Sequence, residues 1–374
     1  MCNAALPIGA AACSVRASLK RWMRLVVHAR MFLAAMALCA AWAPQAAARD
    51  LMIVARGEGM QTALTNAYRH PFTEATRIET EGSFWEGGLD PLRERLKSPD
   101  NTWDVIITDP DELATGCAEG LFERLDWSAI GGKDHYQALG VSECGLAALV
   151  ATTVLAWDRD KFPMTPSWAD FWDVAKVPGK RGLGKSARGV LEIALLADGV
   201  APGDVYKTLA SKDGTDRAFQ KLDQLRPYIV WWQTEADAAR ILASGDVLMT
   251  SAQSGVIATA ARLENRAFGI QWNASLTELF SWAIAKASPN LRAAQQFLYF
   301  TGMPAIQTRL LRTAGQAGLA KGLNESLPPE LQPISPTAAA NSAGALRVDA
   351  AFWHENETRL RQRFETWLSP APKP

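Results

Sequence analysis

Apolar residues gather in two kinds of run along the chain. Short runs rich in β-branched residues, LMIVA (51–55), WDVIITD (103–109), YIVWW (228–232) and DVLMTS (246–251), each lead into a polar or glycine-bearing turn. That is the pattern of buried strands. Between them, residues 60–76, 110–120, 190–199 and 215–225 read as helices, and SWADFWDVA (167–175) opens another with Ser167 as its N-cap. Strand–helix alternation predicts an α/β sheet with parallel strands. Ligands bind such sheets at the loops beyond the carboxyl ends of the strands, which brings Glu58, Asp109 and Asp111 toward a candidate site.

Two further runs, LAALVATTVLAWD (146–158) and FGIQWNASLTELFSWAIA (268–285), are too long for ordinary strands of about five or six residues. They are expected to leave one lobe and enter the other, crossing in opposite senses as a hinge requires. The chain then divides into residues 1–48, a first lobe of 49–152 with 277–322, and a second of 153–276 with 323–374. Residues from 290 onward turn helical. A Pro/Ala/Ser-rich surface loop (327–344) and an amphipathic helix (349–368) complete the second lobe.

The first 48 residues change the picture. They hold Arg16, Lys20, Arg21, Arg24 and Arg30 without one acid, then an apolar run, MFLAAMALCAAWA, and a small-residue end at Ala46-Ala47-Ala48. A basic region, a short apolar core and an Ala-x-Ala site predict a cleavable secretory signal. The run is too short for a spanning helix, which needs roughly 20 residues. Met23 offers an alternative start. Cys39 follows Met36-Ala37-Leu38 and lacks the small neighbour that lipid attachment needs. Removing five bases from a chain with 39 residues of each sign leaves a formal charge of −5, which argues against nucleic acid. The 326 residues left of 374 are long for one core. Of five cysteines, Cys117 and Cys144 remain. In an oxidising compartment they read as a disulfide, against the alternative of two separate buried thiols.

Some signals point the wrong way. Gly179–Ser186, GKRGLGKS, satisfies GxxxxGK[ST] literally. That pattern cradles phosphate only between a buried strand and a helix, and here a helix and Pro178 precede it. His70, His135 and His354 are scattered, without metal-ligand spacing, and no GxSxG elbow is present. Neither an enzyme, a metal nor a cofactor is expected. Twelve of fourteen tryptophans follow the leader. Trp103, Trp157, Trp168, Trp172 and Trp367 read as packing residues. Trp85, Trp232 and Trp282 stand near strand ends beside carboxylates or hydroxyls, where an aromatic face can hold an alkylammonium group.

Five segments in order, WDVIITDPDELATGCAEGLFERLD (103–126), VSECG (141–145), LAWDRDKFPMTPSWADFWDVAKVPGKRGL (155–183), LEIALLADGV (191–200) and WWQTEADAARILASGDVLMTSAQSG (231–255), resemble solute-binding proteins of ABC importers of the spermidine/putrescine-binding type. The resemblance covers roughly residues 50–325. It implies an α/β, type II periplasmic-binding-protein fold, with two lobes joined by crossing strands around a ligand cleft, and it supports the Cys117–Cys144 bridge. It also implies a periplasmic monomer that closes on a small amine and delivers it to a permease with an ATPase partner. The chain departs from polyamine binders at Lys185-Ser186-Ala187-Arg188-Gly189, basic or neutral where those are acidic, and at Ala252-Gln253-Ser254-Gly255.

Two ligand readings follow. Glu58, Asp109, Glu235 and Glu278 could hold a polyamine, or a zwitterion could place its anionic group on Lys185 or Arg188. The ligand set expected is Glu58, Trp85 and Asp109 from the first lobe, Lys185, Trp232 and Ser254 from the second, and Glu278 and Trp282 at the return crossing. The rival readings are an exported enzyme on a similar scaffold and a sensory binding protein without a transporter.

Overall fold

The computed structural model describes residues 49–369; the expected leader lies outside them. Nine strands join in one sheet: β1 (Leu51–Arg56), β2 (Thr80–Trp85), β3 (Val105–Thr108), β4 (Gly145–Asp158), β5 (Arg181–Gly184), β6 (Ile229–Trp232), β7 (Met249–Gln253), β8 (Phe268–Ile284) and β9 (Leu346–Arg347). Their order is β2-β1-β3-β8-β4-β7-β5-β6, with β9 on β8. β1 pairs in parallel with β2 and β3, and β5 with β6 and β7. Each end of the sheet is therefore a parallel α/β unit. The antiparallel pair β4 and β8 runs through the middle and belongs to both.

The long apolar runs are those two central strands, of 14 and 17 residues. Their register shifts twice, between Ala147 and Leu149 and between Thr153 and Leu155. At the second shift β8 carries extra residues, among them Ala274 with φ 56°. The bulge is held from outside, because the Ala274 amide donates to the Gly344 carbonyl at 3.0 Å and β9 pairs Leu346 with Leu276.

Each end has its own core. On one side Leu51, Ile53, Tyr68 and Phe72 pack with Trp282 and Phe297. On the other, Trp168, Phe171, Leu191 and Leu222 pack with Phe352, Trp353, Leu360 and Phe364 of the C-terminal helix Ala350–Leu368. Ser167 caps the helix Trp168–Trp172, its Oγ accepting from the Asp170 amide. Cys117 and Cys144 are joined in a disulfide spanning 27 residues.

Two strands escape the sequence reading. β2 is an edge strand whose mixed, half-exposed pattern lacks a continuous apolar run. β5 is only RGLG and lies inside the GxxxxGK[ST] match. There Arg181 to Gly184 pair with β6, and Arg181 and Gly182 also with β7. The residues that would cradle a phosphate are thus committed to a sheet.

Candidate functional site

The parallel strands β5 and β6 and the end of β7 place their carboxyl ends around one cavity of about 290 Å³. Lys185, Ser186, Arg188 and Gly189 follow β5. Trp232 ends β6 and Gln233 and Glu235 follow it, while Ser251 and Gln253 belong to β7. Ala151 and Thr153 of β4, Leu276 and Glu278 of β8, and Val348 close the remaining sides. Val190 and Ile193 add apolar surface.

Local packing explains how these side chains reach it. Gly184 and Trp232 are register partners, and a Cβ at Gly184 would lie 2.9 Å from the indole, so glycine leaves room for that ring beside β5. The Trp232 Nε1 hydrogen is buried without a hydrogen-bond partner. After β5 the chain enters the helix Ala187–Ala197 through a kink: Arg188 is extended (φ −66°, ψ 130°) and Gly189 left-handed (φ 88°), a conformation that strongly favours glycine. The kink turns Arg188 inward, where its guanidinium pairs with the Glu278 carboxylate.

The electrostatics are mixed in sign. Burial works against the Arg188 charge, yet the Glu278, Asp109 and Glu192 carboxylates outweigh it and hold the guanidinium pKa above its ordinary value. Burial pushes the Glu278 carboxyl up; Arg188 pulls the other way and Asp109 adds to the rise. Glu235 behaves differently. The residue is partly exposed, but its carboxyl turns inward, where Oε2 accepts the Gln253 amide at 2.8 Å. Burial pushes that carboxyl up to about 7, opposed only by the one amide. No ion pair to Glu235 occurs among the described residues. A buried carboxyl of this kind offers a place for a ligand cation.

Of the residues expected from sequence, the structure brings Lys185, Trp232 and Glu278 to the cavity wall. Asp109 lies close enough to bear on Arg188 and Glu278, but its Oδ1 caps the helix Pro110–Ala118 through the Asp111 and Glu112 amides. Its Oδ2 lies 3.5 Å from Arg56. Glu58 is solvent-exposed at the start of the helix Gly57–Leu64. Ser254 is buried as the first residue of the helix Ser254–Leu263 and does not line the cavity.

Trp85 and Trp282 also stand apart from it. Trp85 donates from Nε1 to the Ile107 carbonyl at 3.2 Å, packs on Trp103 and lies under Arg56. Trp282 is fully buried, with ring centres 5.2 Å from Phe297 and 6.1 Å from Tyr68. The helix Leu291–Thr301 covers it, so this strand-end aromatic is a core residue. The sequence reading named Arg188 and Glu235 only as alternatives and missed Glu192. A lone acid in the otherwise apolar VLEIALLA was the available signal.

Comparison with known proteins agrees with this architecture. Residues 67–337 match the family model described as bacterial extracellular solute-binding protein. The gamma-aminobutyric acid-binding protein of Pseudomonas aeruginosa is 40% identical over 344 residues, covering 92% of this chain and 97% of that protein. An ABC transporter substrate-binding protein from Bradyrhizobium japonicum superposes with a TM-score of 0.74 at 29% identity, over 86% of this chain and 99% of its own. The Atu4243-GABA receptor gives 0.74 at 26%, over 87% and 99%. The broader family expected from sequence therefore holds, and these matches do not single out its spermidine/putrescine type. The chain belongs to the bacterial extracellular solute-binding protein family and is the substrate-binding protein of an ABC transporter.

Proposed function

We propose that the cavity captures a short, linear zwitterion with its amine and carboxylate at opposite ends, of the 4-aminobutanoate class, in the periplasm. The observation that carries this reading is the pairing of opposite charges around one aromatic wall. Lys185 and Arg188 stand after β5, Glu235 after β6 and Glu278 on β8, with Trp232 among them. A carboxylate on Lys185 and Arg188 gains charge-assisted hydrogen bonds. An ammonium on Glu235 fills the need of an otherwise unpaired buried acid, and the Trp232 face shields the methylenes between. A polyamine would set one of its cations against Lys185 or Arg188, with repulsion little screened at a partly buried site. The name of the Pseudomonas relative supports the same class.

The lobes divide, in this reading, near Thr153 and Leu276, beside the second register shift. Closure around the ligand buries it and forms the surface that docks on the permease. The ligand drives closure only by its greater affinity for the closed state. The test is titration calorimetry on residues 49–374 with 4-aminobutanoate, putrescine and an α-amino acid. Tightest binding of 4-aminobutanoate, lost in Lys185→Glu or Arg188→Gln, is the expected result. Preference for putrescine, unchanged by either substitution, would return the ligand to the polyamines.

A further inference from the structure

The Gly189 amide of the Arg188 turn donates to a residue that does not line the cavity. Glu192 is fully buried, and both of its oxygens are engaged. Oε2 accepts the Gly189 amide at 2.8 Å. Because regular helix begins only after the Arg188–Gly189 kink, Gly189 is the effective N-cap and Glu192 the third helical residue. The contact is the reciprocal half of a capping box. A cap alone needs just one oxygen. Oε1 accepts two more hydrogen bonds, from Trp353 Nε1 at 2.6 Å and from the Tyr206 hydroxyl at 3.0 Å. Burial raises the Glu192 carboxyl above its ordinary range, against these donors, which favour the ionised form.

We propose that Glu192 is a positioning residue, clamped by Trp353 of the C-terminal helix and by Tyr206, that holds the Arg188–Gly189 turn so that Arg188 reaches the ligand's carboxylate. This rests on the reading of Arg188 as the carboxylate partner. Three features argue for a role beyond stability. The Arg188 side chain is partly exposed and spans from its own helix to β8, so its aim depends on its backbone. Gly189 at φ 88° carries no side chain to stiffen the turn. The Glu192 carboxylate also lies close enough to help hold the Arg188 charge. The C-terminal helix thus shapes a cavity that its own tryptophan does not line.

The experiment is a double-mutant cycle on the mature chain, read as the dissociation constant for 4-aminobutanoate. The variants are Trp353→Phe, which keeps an aromatic ring, though a smaller one, and removes the donor, Glu192→Gln, and each combined with Arg188→Gln. Thermal melts confirm that every variant folds. If Glu192 acts through Arg188, each single change weakens binding by about tenfold and costs little more once Arg188 is gone. Equal losses in both backgrounds, or unchanged affinity in the folded single variants, would overturn the proposal. Wild-type affinity in Arg188→Gln itself would instead remove the carboxylate partner on which it rests.

Discussion

His354 Nδ1 lies 3.0 Å from Asp111 Oδ2, joining the C-terminal helix to the helix Pro110–Ala118. The first helix packs with the core of the β5–β7 end, and the second follows β3 at the other end. The contact therefore ties one end of the sheet to the other. His354 is more than half exposed, and such pairs contribute at most about 1 kcal/mol. His354→Ala should weaken ligand binding roughly two- to fivefold, and Asp111→Asn by a similar amount. The double variant should be no worse than either single one. Calorimetry measures the affinities, and losses that simply add would show that the two residues act separately.

Glu235 gives pH opposite effects on folding and on capture. Its carboxyl is pushed up to about 7 by burial, above its value in the unfolded chain. Its contribution to stability is therefore full below the ordinary carboxylate range and is lost as pH rises through about 7. Binding an ammonium needs the ionised form, so affinity should fall by up to about tenfold per pH unit below 7. Urea melts and titrations from pH 5 to 8, on wild type and Glu235→Gln, check both slopes. The variant should flatten each difference, and retention of both slopes would place their origin in another group.

Trp232 should matter in two separable ways. Trp232→Phe removes a buried, unpartnered N–H but keeps an aromatic wall, and a several-fold loss is expected. Trp232→Ala removes the wall too and should cost about tenfold or more. Equal affinity in wild type and Trp232→Ala would take the ring out of the ligand's surroundings.

The Cys117–Cys144 bridge acts on stability and stands away from the cavity. Replacing both cysteines with serine should lower unfolding free energy by about 3–4 kcal/mol in the chain-entropy model. Ligand affinity at 25 °C should stay within about twofold of wild type. A large loss of affinity in the folded variant would show that the bridge shapes the cleft.

Sequence patterning revealed the elements whose burial is long and continuous. β4 announces itself because a strand covered on both faces is apolar throughout, and β8 by its length, although its middle is polar and half-exposed. β5 does not, since four residues with two glycines carry no period, and its neighbours imitate a phosphate loop. The site shows the same divide. Lys185, Trp232 and Glu278 follow from their places at or near strand ends or on the crossing strand. Trp282 has a similar sequence setting but meets Phe297 from a helix that follows it, and only the packed fold separates it from Trp232. Glu235 is legible as an acid after β6, whereas its inward turn depends on the amide of Gln253, eighteen residues away.

The register shifts in the central pair have a mechanical consequence. Between them, Leu149–Thr153 stays in step with Leu276–Phe280, while the ladder is interrupted at both margins. In the proposed closure those margins are where twist between the two ends of the sheet would be taken up, leaving the intervening rungs as a common axle. Glu278 sits on that axle opposite Ala151. In the closure proposed above, a molecule resting against it would meet the rungs that both ends of the sheet share, and the β5 and β6 loops would move toward that floor.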